Sequence, residues 1–330
     1  MKKRIVNLNL VSTQCILLSC LLLFLYLGKN EGFSVQSYVP LQFRHQGFPM
    51  MSMNMDPSSN EQMIRRLIQR TASSLNIDPD NSALQSKLKF LDELDKNKGN
   101  TKCSSVKEAI QDLEKFSPNA AARMTELQDG MWEALSSPEY PGKIGDDDEG
   151  CAMFKLGRMS FNMFEPRDLI MTVTGIDAPM KKIEGEGAST KWAYDVSVAL
   201  KDSKTGKILS TIKTYGIASP NEKDENRLDV VFTRGELIPS EENTDIDLWK
   251  KTFGKQGTNS GLRKRDRFAL FIAKVFMGLK MPAEMNKKEP KVEYEMTRAP
   301  HGYLDILYID QNLRITRGNQ GSIVVVGKET

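Results

Sequence analysis

The first part of the chain after its N-terminal leader shows hydrophobic positions at helical spacing. Between residues 59 and 128, apolar side chains recur every three or four positions, and polar breaks separate three such stretches. Short amphipathic helices are rarely stable alone, because their apolar stripes need a surface to pack on. The pattern therefore predicts a helical region over 59–128. The residues that define the stripes are Met63, Ile64, Leu67, Leu84, Leu88, Leu91, Ile110 and Leu113.

From about residue 131 the pattern changes to strict alternation, as in Tyr194, Val196 and Val198. Alternation with period two is typical of strands that have one apolar face. Many short strands separated by Gly, Asn and Asp turns predict a mainly β fold, as an antiparallel sheet or barrel over 129–330. The predicted strands are 153–161, 169–175, 194–200, 208–215, 227–233, 292–298, 303–309, 313–317 and 322–326.

One helix is predicted inside the β region, over 263–279. It begins with a basic cluster, continues as an apolar segment and ends before Pro282. One interpretation is a basic amphipathic helix that touches an anionic lipid surface. The other, which its high apolar content favours, is a helix buried against the end of the barrel.

The N-terminus has the pattern of a targeting leader. Lys2, Lys3 and Arg4 precede an apolar run from Cys15 to Leu27, as in a secretory signal peptide, which predicts a signal peptide over 1–32. The run is short for a membrane span, so a retained signal anchor is the second interpretation.

The next segment, 33–58, resembles a transit peptide. Residues Phe33 to Met55 include no acidic side chain. A signal peptide followed by such a segment, starting at an aromatic residue, resembles the bipartite leaders of algae with secondary plastids. The alternative is a flexible linker in a secreted protein.

Composition excludes several function classes. A net charge of +3, with 39% hydrophobic and 27% charged residues, indicates a globular body and gives no reason to expect nucleic acid as a partner. Cys103 and Cys151, the two cysteines outside the leader, form no Cys-x-x-Cys pair, and the acidic run 146–149 lacks the spacing of a calcium loop. No nucleophile elbow is present. We therefore expect no catalytic residue, no metal site and no cofactor.

The C-terminal segment carries the most specific motif. Tyr303-Leu-Asp is followed by Asp310 and then by Leu313-Arg314-Ile315-Thr-Arg317-Gly318, a short turn and a closing apolar strand. This resembles the C-terminal signature of the plastid-lipid-associated protein (PAP)/fibrillin family. Looser similarity extends to the strand around Phe232 and to Trp132, so the chain resembles a divergent member from an alga with a secondary plastid.

The resemblance implies a lipocalin-like antiparallel β-barrel with N-terminal helices and one inserted helix. It also implies a non-enzymatic binding or structural protein for an apolar lipid of the prenylquinone or carotenoid class, at plastoglobules, thylakoids or in the stroma. The expected partners are a lipid ligand and a membrane or lipid-droplet surface. The alternative is an enzyme or assembly factor of plastid lipid or quinone metabolism or of a photosynthetic complex.

The candidate ligand-binding residues combine bulky positions with the polar positions of the motif. Inward-facing side chains either line a pocket or fill a solid core, and the sequence leaves both open. Arg314 and Arg317, three apart on a strand, should face opposite sides, and one of them either pairs with Asp310 or contacts the ligand. The candidates are Trp132, Phe161, Trp192, Tyr194, Asp310, Arg314 and Arg317.

The leader generates a localisation prediction. Residues 1–60 fused to a fluorescent protein should direct it to the plastid of an alga with a secondary plastid, because the basic start, the apolar run and the acid-free segment act in series. Fluorescence confined to the cytosol or the culture medium would contradict this. Recovery of intact Cys15–Leu27 peptides from the accumulated protein would support the retained anchor instead.

Overall fold

The computed structural model describes residues 58–183, 190–240, 244–257, 264–282, 285, 289–299 and 301–328. The predicted signal peptide (1–32) and all but the last residue of the transit-like segment (33–58) lie outside them. The helices are α1 (Ser58–Ile77), α2 (Ser82–Lys96), α3 (Ser104–Glu114), a 3-10 turn (Ala121–Arg123), α4 (Thr125–Gln128), α5 (Leu156–Met159), α6 (Ile246–Phe253) and α7 (Lys264–Met277).

The strands are β1 (Glu133–Ala134), β2 (Lys143–Asp146), β3 (Ala152–Lys155), β4 (Ile170–Asp177), β5 (Met180–Ile183), β6 (Lys191–Asp202), β7 (Leu209–Pro220), β8 (Arg227–Pro239), β9 (Leu279–Lys280), β10 (Val292–Met296), β11 (His301–Ile309), β12 (Leu313–Gly318) and β13 (Ile323–Gly327).

Eight of these strands close into an antiparallel barrel, which confirms the predicted fold class. Around the barrel the order is β4-β1-β13-β12-β11-β8-β7-β6, and the pairing of β6 with β4 closes the circle. The predicted closing hairpin is also confirmed, since Arg317 pairs with Ile323 and Leu313 with Gly327 across the turn. Halfway along β8 the partner changes from β11 to β10, so the wall opens there.

The N-terminal helices pack on the outer face of the barrel. They contribute Leu67, Phe90, Leu94 and Leu113 to one core, and the outward-facing side chains of β11–β13 contribute the rest. Most of the apolar stripes predicted over 59–128 are thus buried against the sheet, whereas Leu84 and Leu88 are only half-buried and lie outside this core. The barrel residues in this core are Leu307, Tyr308, Leu313, Ile315 and Val325.

The barrel interior contains two further clusters. At one end Trp132, Trp192 and Leu228 pack together, and the 3-10 turn contributes Ala121 and Ala122 beside them. At the other end β3, β4, β6, β7 and β8 share a core with α6 and β10. Side chains of alternate residues fill an eight-stranded barrel almost completely, which accounts for this packing.

The predicted strand 153–161 is only partly confirmed. β3 ends at Lys155 because Leu156–Met159 turns into the short helix α5, and Phe161 and Asn162 then adopt positive φ values of 51° and 61°. A Cβ on Gly157 would lie 2.6 Å from the Arg167 side chain, so this turn packs too closely to be continued as a strand.

Helix α7 differs from the interpretation that its composition favoured. Leu270 is buried, but Phe268, Phe271 and Phe276 are 56–59% exposed. The interpretation of a helix buried against the barrel therefore holds for the side that carries Leu270 and is wrong for the side that carries the phenylalanines. Among the described residues, no helix is both long enough and apolar enough to cross a bilayer.

Two carboxylates meet at the seam that β1 forms with β4. Asp177 lies directly opposite Glu133 in the strand register. Burial and, second, the charge of Glu133 raise the pKa of Asp177 from 3.8 to about 7. Like charges opposite each other on adjacent strands destabilise the pair, so the fold favours the protonated form of Asp177.

This seam predicts a pH dependence of stability. Because the folded-state pKa of Asp177 is raised, protonation of its carboxyl group favours the folded state. This contribution to the free energy of unfolding is fully present below about pH 4 and is lost as the pH rises through about 7. Asp177→Asn, neutral at every pH, should be more stable than the unsubstituted protein at pH 8 by about 1 kcal/mol. Denaturant unfolding at pH 5 and pH 8 measures this.

Asp168→Asn is the matched control, because the Asp168 carboxylate is an exposed partner of Lys155. It should leave the pH dependence unchanged. An equal dependence in Asp177→Asn and the unsubstituted protein would contradict the prediction.

Candidate functional site

The most unusual side chain in the barrel is Arg314. It lies on β12, where alternation turns it inward, and only 2% of it is exposed. The guanidinium lies 4.6 Å from the Trp132 ring centre, Nη1 lies 2.7 Å from Met180 Sδ, and Nη1 also donates to Gln128 Oε1 at 3.4 Å. Burial lowers the pKa of Arg314 to about 10.

Arg314 has no carboxylate partner among the described residues, and its Nε has no hydrogen-bond partner there. A buried cation is normally paired, because desolvation of an isolated charge costs several kcal/mol. The thioether and amide contacts and the Trp132 ring offset only part of that cost. This end of the barrel is therefore suited to an electron-rich group.

A second cation lies on the same side. Lys328 Nζ is 4.6 Å from the Trp132 ring centre and donates to the Asp129 carbonyl at 2.8 Å. Burial lowers the pKa of Lys328, and repulsion by Arg314 lowers it further. The two cations make this end of the barrel electropositive.

Aromatic side chains from β6 form the neighbouring wall. Trp192 is fully buried, and its Nε1 donor has no hydrogen-bond partner among the described residues. Tyr194 packs against Phe232 of β8 with 5.8 Å between ring centres, and burial raises the pKa of Tyr194. The Phe232 ring also packs closely over Gly216, since a Cβ on Gly216 would lie 2.7 Å from it.

The interior is more accessible away from Arg314. Tyr194, Val196, Phe232 and Leu304 face inward by register, yet each is only half-buried. Val324, which shares the face of Val326, is 38% exposed. We call these five residues the barrel mouth. They give the interior an apolar rim.

The structure brings four of the seven predicted site residues together: Trp132, Trp192, Tyr194 and Arg314 share the interior cluster or contact it. Phe161 is placed at the surface, 69% exposed, so the expectation that it lines the barrel is wrong. The reason is the helical turn at Leu156–Met159, which ends β3 before Phe161 can reach the wall. Arg317 and Asp310 lie on the outside.

The expected pairing of Asp310 with Arg314 or Arg317 is also wrong. Asp310 Oδ2 accepts from Lys87 Nζ at 2.7 Å and from the Tyr308 hydroxyl at 2.8 Å, and Oδ1 accepts from the Leu313 amide. Arg317 lies 3.7 Å from Asp305 instead. Alternation still places the two arginines on opposite sides, as expected. Asp310 thus joins helix α2 to the β11–β12 turn.

Sequence reasoning missed three residues that hold the cationic end together. Gln128 is fully buried. Its backbone carbonyl accepts from Trp132 Nε1 at 3.0 Å, and its side-chain Oε1 accepts from Arg314. Met180 and Lys328 complete the surroundings. No local pattern marks them, because they approach Arg314 only through barrel closure.

Two open clefts lie on the helical side, outside the barrel. One, of about 300 Å³, is formed by α1 and α2 around Leu75 and Leu88. The other, of about 210 Å³, lies between Leu67, Thr71 and Asp310. Both are mixed polar and apolar, and the Lys87–Asp310 pair occupies the edge of the second. No cluster of three potential metal ligands occurs in the described part of the chain.

The outer ion pair generates a stability prediction. Asp310→Ala should lower the free energy of unfolding by about 3 kcal/mol, because it leaves buried Lys87 without a counter-charge. Arg317→Ala should cost less than about 1 kcal/mol, because Arg317 is half-exposed in a long surface pair. Denaturant unfolding measures both, and equal effects would contradict the assigned roles.

Comparison with known proteins agrees with the C-terminal motif. The family model PAP_fibrillin matches residues 221–327, which span β8 to β13 and include Arg314. No curated protein and no solved structure matches the chain. Proteins of that family are plastid-associated and generally non-enzymatic, lipid-associated proteins. The match over residues 221–327 supports membership of the PAP/fibrillin family.

Proposed function

We propose that this protein is a non-enzymatic plastid protein whose barrel holds an apolar lipid of the prenylquinone or carotenoid class. The observation that carries the proposal is the buried Arg314 at the base of an aromatic-lined barrel, which has no carboxylate partner among the described residues. Family membership supports the lipid association in general.

The polar chemistry of the base favours an oxygen-bearing head group. The Nε atoms of Arg314 and Trp192 are buried donors with no partner in the described part of the chain. A buried donor without a partner costs about 1–3 kcal/mol, which a bound acceptor would recover. A quinone or keto oxygen accepts such bonds without adding a charge, so a prenylquinone or an oxygenated carotenoid suits the base.

The rest of the interior suits the apolar part of such a lipid. The barrel mouth offers Val196, Leu304 and Val324 as apolar contacts and the Tyr194–Phe232 pair as an aromatic surface. Ligand pockets are usually apolar with a few placed polar groups. The interior is closely packed where the Phe232 ring lies over Gly216, so the proposed ligand requires this ring to move.

The proposed location follows from the leader and the family. A signal peptide over 1–32 and a transit-like segment over 33–58 would deliver the chain to a plastid, at plastoglobules, thylakoids or in the stroma. Membrane or lipid-droplet surfaces there are the sources of the lipid.

The ligand prediction is tested by tryptophan fluorescence. In a Trp249→Phe background, the emission comes from Trp132 and Trp192, both in the barrel. Added plastoquinone should quench this emission. Arg314→Met should weaken binding about tenfold, because it removes a charged donor.

Arg317→Met is the matched control, since it changes the same side chain on the outer face. It should bind as tightly as the unsubstituted protein. Arg314→Met should stay folded, because an apolar replacement of a buried charge is often neutral or stabilising. No quenching by plastoquinone or a carotenoid, with no lipid co-purifying by mass spectrometry, would overturn the proposal.

A further inference from the structure

Helix α7 presents an apolar stripe to solvent. Phe268, Phe271, Val275 and Phe276 follow the spacing of one helical face, and they are 59%, 59%, 47% and 56% exposed. Four large apolar side chains on one face form a contiguous patch, whereas isolated exposed apolar residues need no explanation.

The opposite face fixes the helix to the barrel. Leu270 is buried with Leu279, and Met163, Met281, Tyr294 and Met296 pack against these two residues. Arg298 Nη2 donates to the Val275 carbonyl at 2.8 Å, which ties the C-terminal half of the helix to the strand region. The helix is thus held with its phenylalanines outward.

The charge of α7 indicates what covers this face. Its sequence contains four basic residues and one acidic residue. Arg267 and Lys274 lie beside the stripe on the helical projection, and both are exposed. Basic residues along one side of an exposed aromatic stripe are typical of helices that lie in the interface of anionic lipid. A second copy would instead oppose like charges.

We infer that α7 docks on an anionic lipid surface, inserting Phe268, Phe271, Val275 and Phe276 below the head groups. The inference rests on the proposed lipid association, but it requires no ligand inside the barrel. It adds a second, external lipid site that the interior cluster does not provide.

The position of α7 connects the two sites. Arg298, bonded to α7, is three residues from His301, where β11 begins, so the two Cα atoms are at most about 11 Å apart. Leu304 of the barrel mouth lies on the same strand. A surface bound at α7 therefore lies near the mouth, where a lipid could pass between the membrane and the barrel.

The test is co-sedimentation of the processed protein, recovered as it accumulates in the cell, with phosphatidylcholine vesicles that contain phosphatidylglycerol. The unsubstituted protein should bind these vesicles more tightly than pure phosphatidylcholine vesicles. Phe271→Ser combined with Phe276→Ser should weaken the binding about tenfold or more, because two exposed rings no longer enter the acyl region. Lys274→Glu should reduce the preference for the anionic vesicles.

The matched control is Ile77→Ser combined with Ile144→Ser, which removes two exposed apolar side chains elsewhere, at 87% and 47% exposure. It should bind like the unsubstituted protein. Equal loss in both double variants, or equal binding to both vesicle types, would overturn the inference. So would a dimer that the phenylalanine variant converts to a monomer, since the face would then join two copies.

Failure here and failure of the proposed ligand are distinguishable. The vesicles contain no quinone, so their binding reports α7 alone. Plastoquinone quenching in the phenylalanine variant should be unchanged, because Trp132 and Trp192 lie in the interior cluster and not on α7.

Discussion

Barrel closure through β1, a strand of two residues, is the constraint on which the rest of the structure depends. Glu133 pairs with β13 on one side and with β4 on the other, and flanking bonds from Gly130 to Met180 and from Leu135 to Val325 hold the strand in place. Trp132, next to the strand, shares the inward face of Ala134, since the two residues are two positions apart. Its indole donates to Gln128, which brings helix α4 against the barrel end. Closure therefore creates the Arg314 surroundings and also brings Asp177 opposite Glu133.

The charged side chains on the two faces of the C-terminal motif differ in their partners. Outside, Asp310 satisfies Lys87, the Tyr308 hydroxyl and two backbone amides, so a buried cation is fully compensated. Inside, Arg314 receives an aromatic ring, a thioether and a long amide contact. The first arrangement links the N-terminal helices to the barrel, and both carboxylate oxygens of Asp310 already accept hydrogen bonds within the protein. The second retains hydrogen-bonding capacity in a low-dielectric interior, where an added acceptor gains most.

The lipid contact proposed at α7 and the lipid binding proposed in the barrel require different properties from the protein. The interior must offer buried polar donors and an apolar wall that can yield to a ligand, whereas α7 must keep large apolar side chains in water until a surface covers them. Different side chains of α7 meet these requirements. Leu270 and its methionine-rich surroundings hold the helix in place, and the phenylalanines on the other side contribute little to the fold. Methionine tolerates such a loosely shaped contact, because its side chain is flexible.

The sequence by itself determined most of the barrel strands, the helical region, the closing hairpin and the opposite orientations of Arg314 and Arg317, but not the strands β1, β2 and β5 or the helix α6. The features it determined depend on periodicity and on turn residues, which act over a few positions. Periodicity did not predict the exposed position of Phe161, because a close contact between Gly157 and Arg167 ends the strand early. Periodicity did not identify the partner of Asp310 either, because Lys87 is 223 residues away in the sequence. Only the tertiary structure decided that Arg314 has no carboxylate partner among the described residues and that α7 turns its phenylalanines outward, since both depend on which distant elements closure brings together.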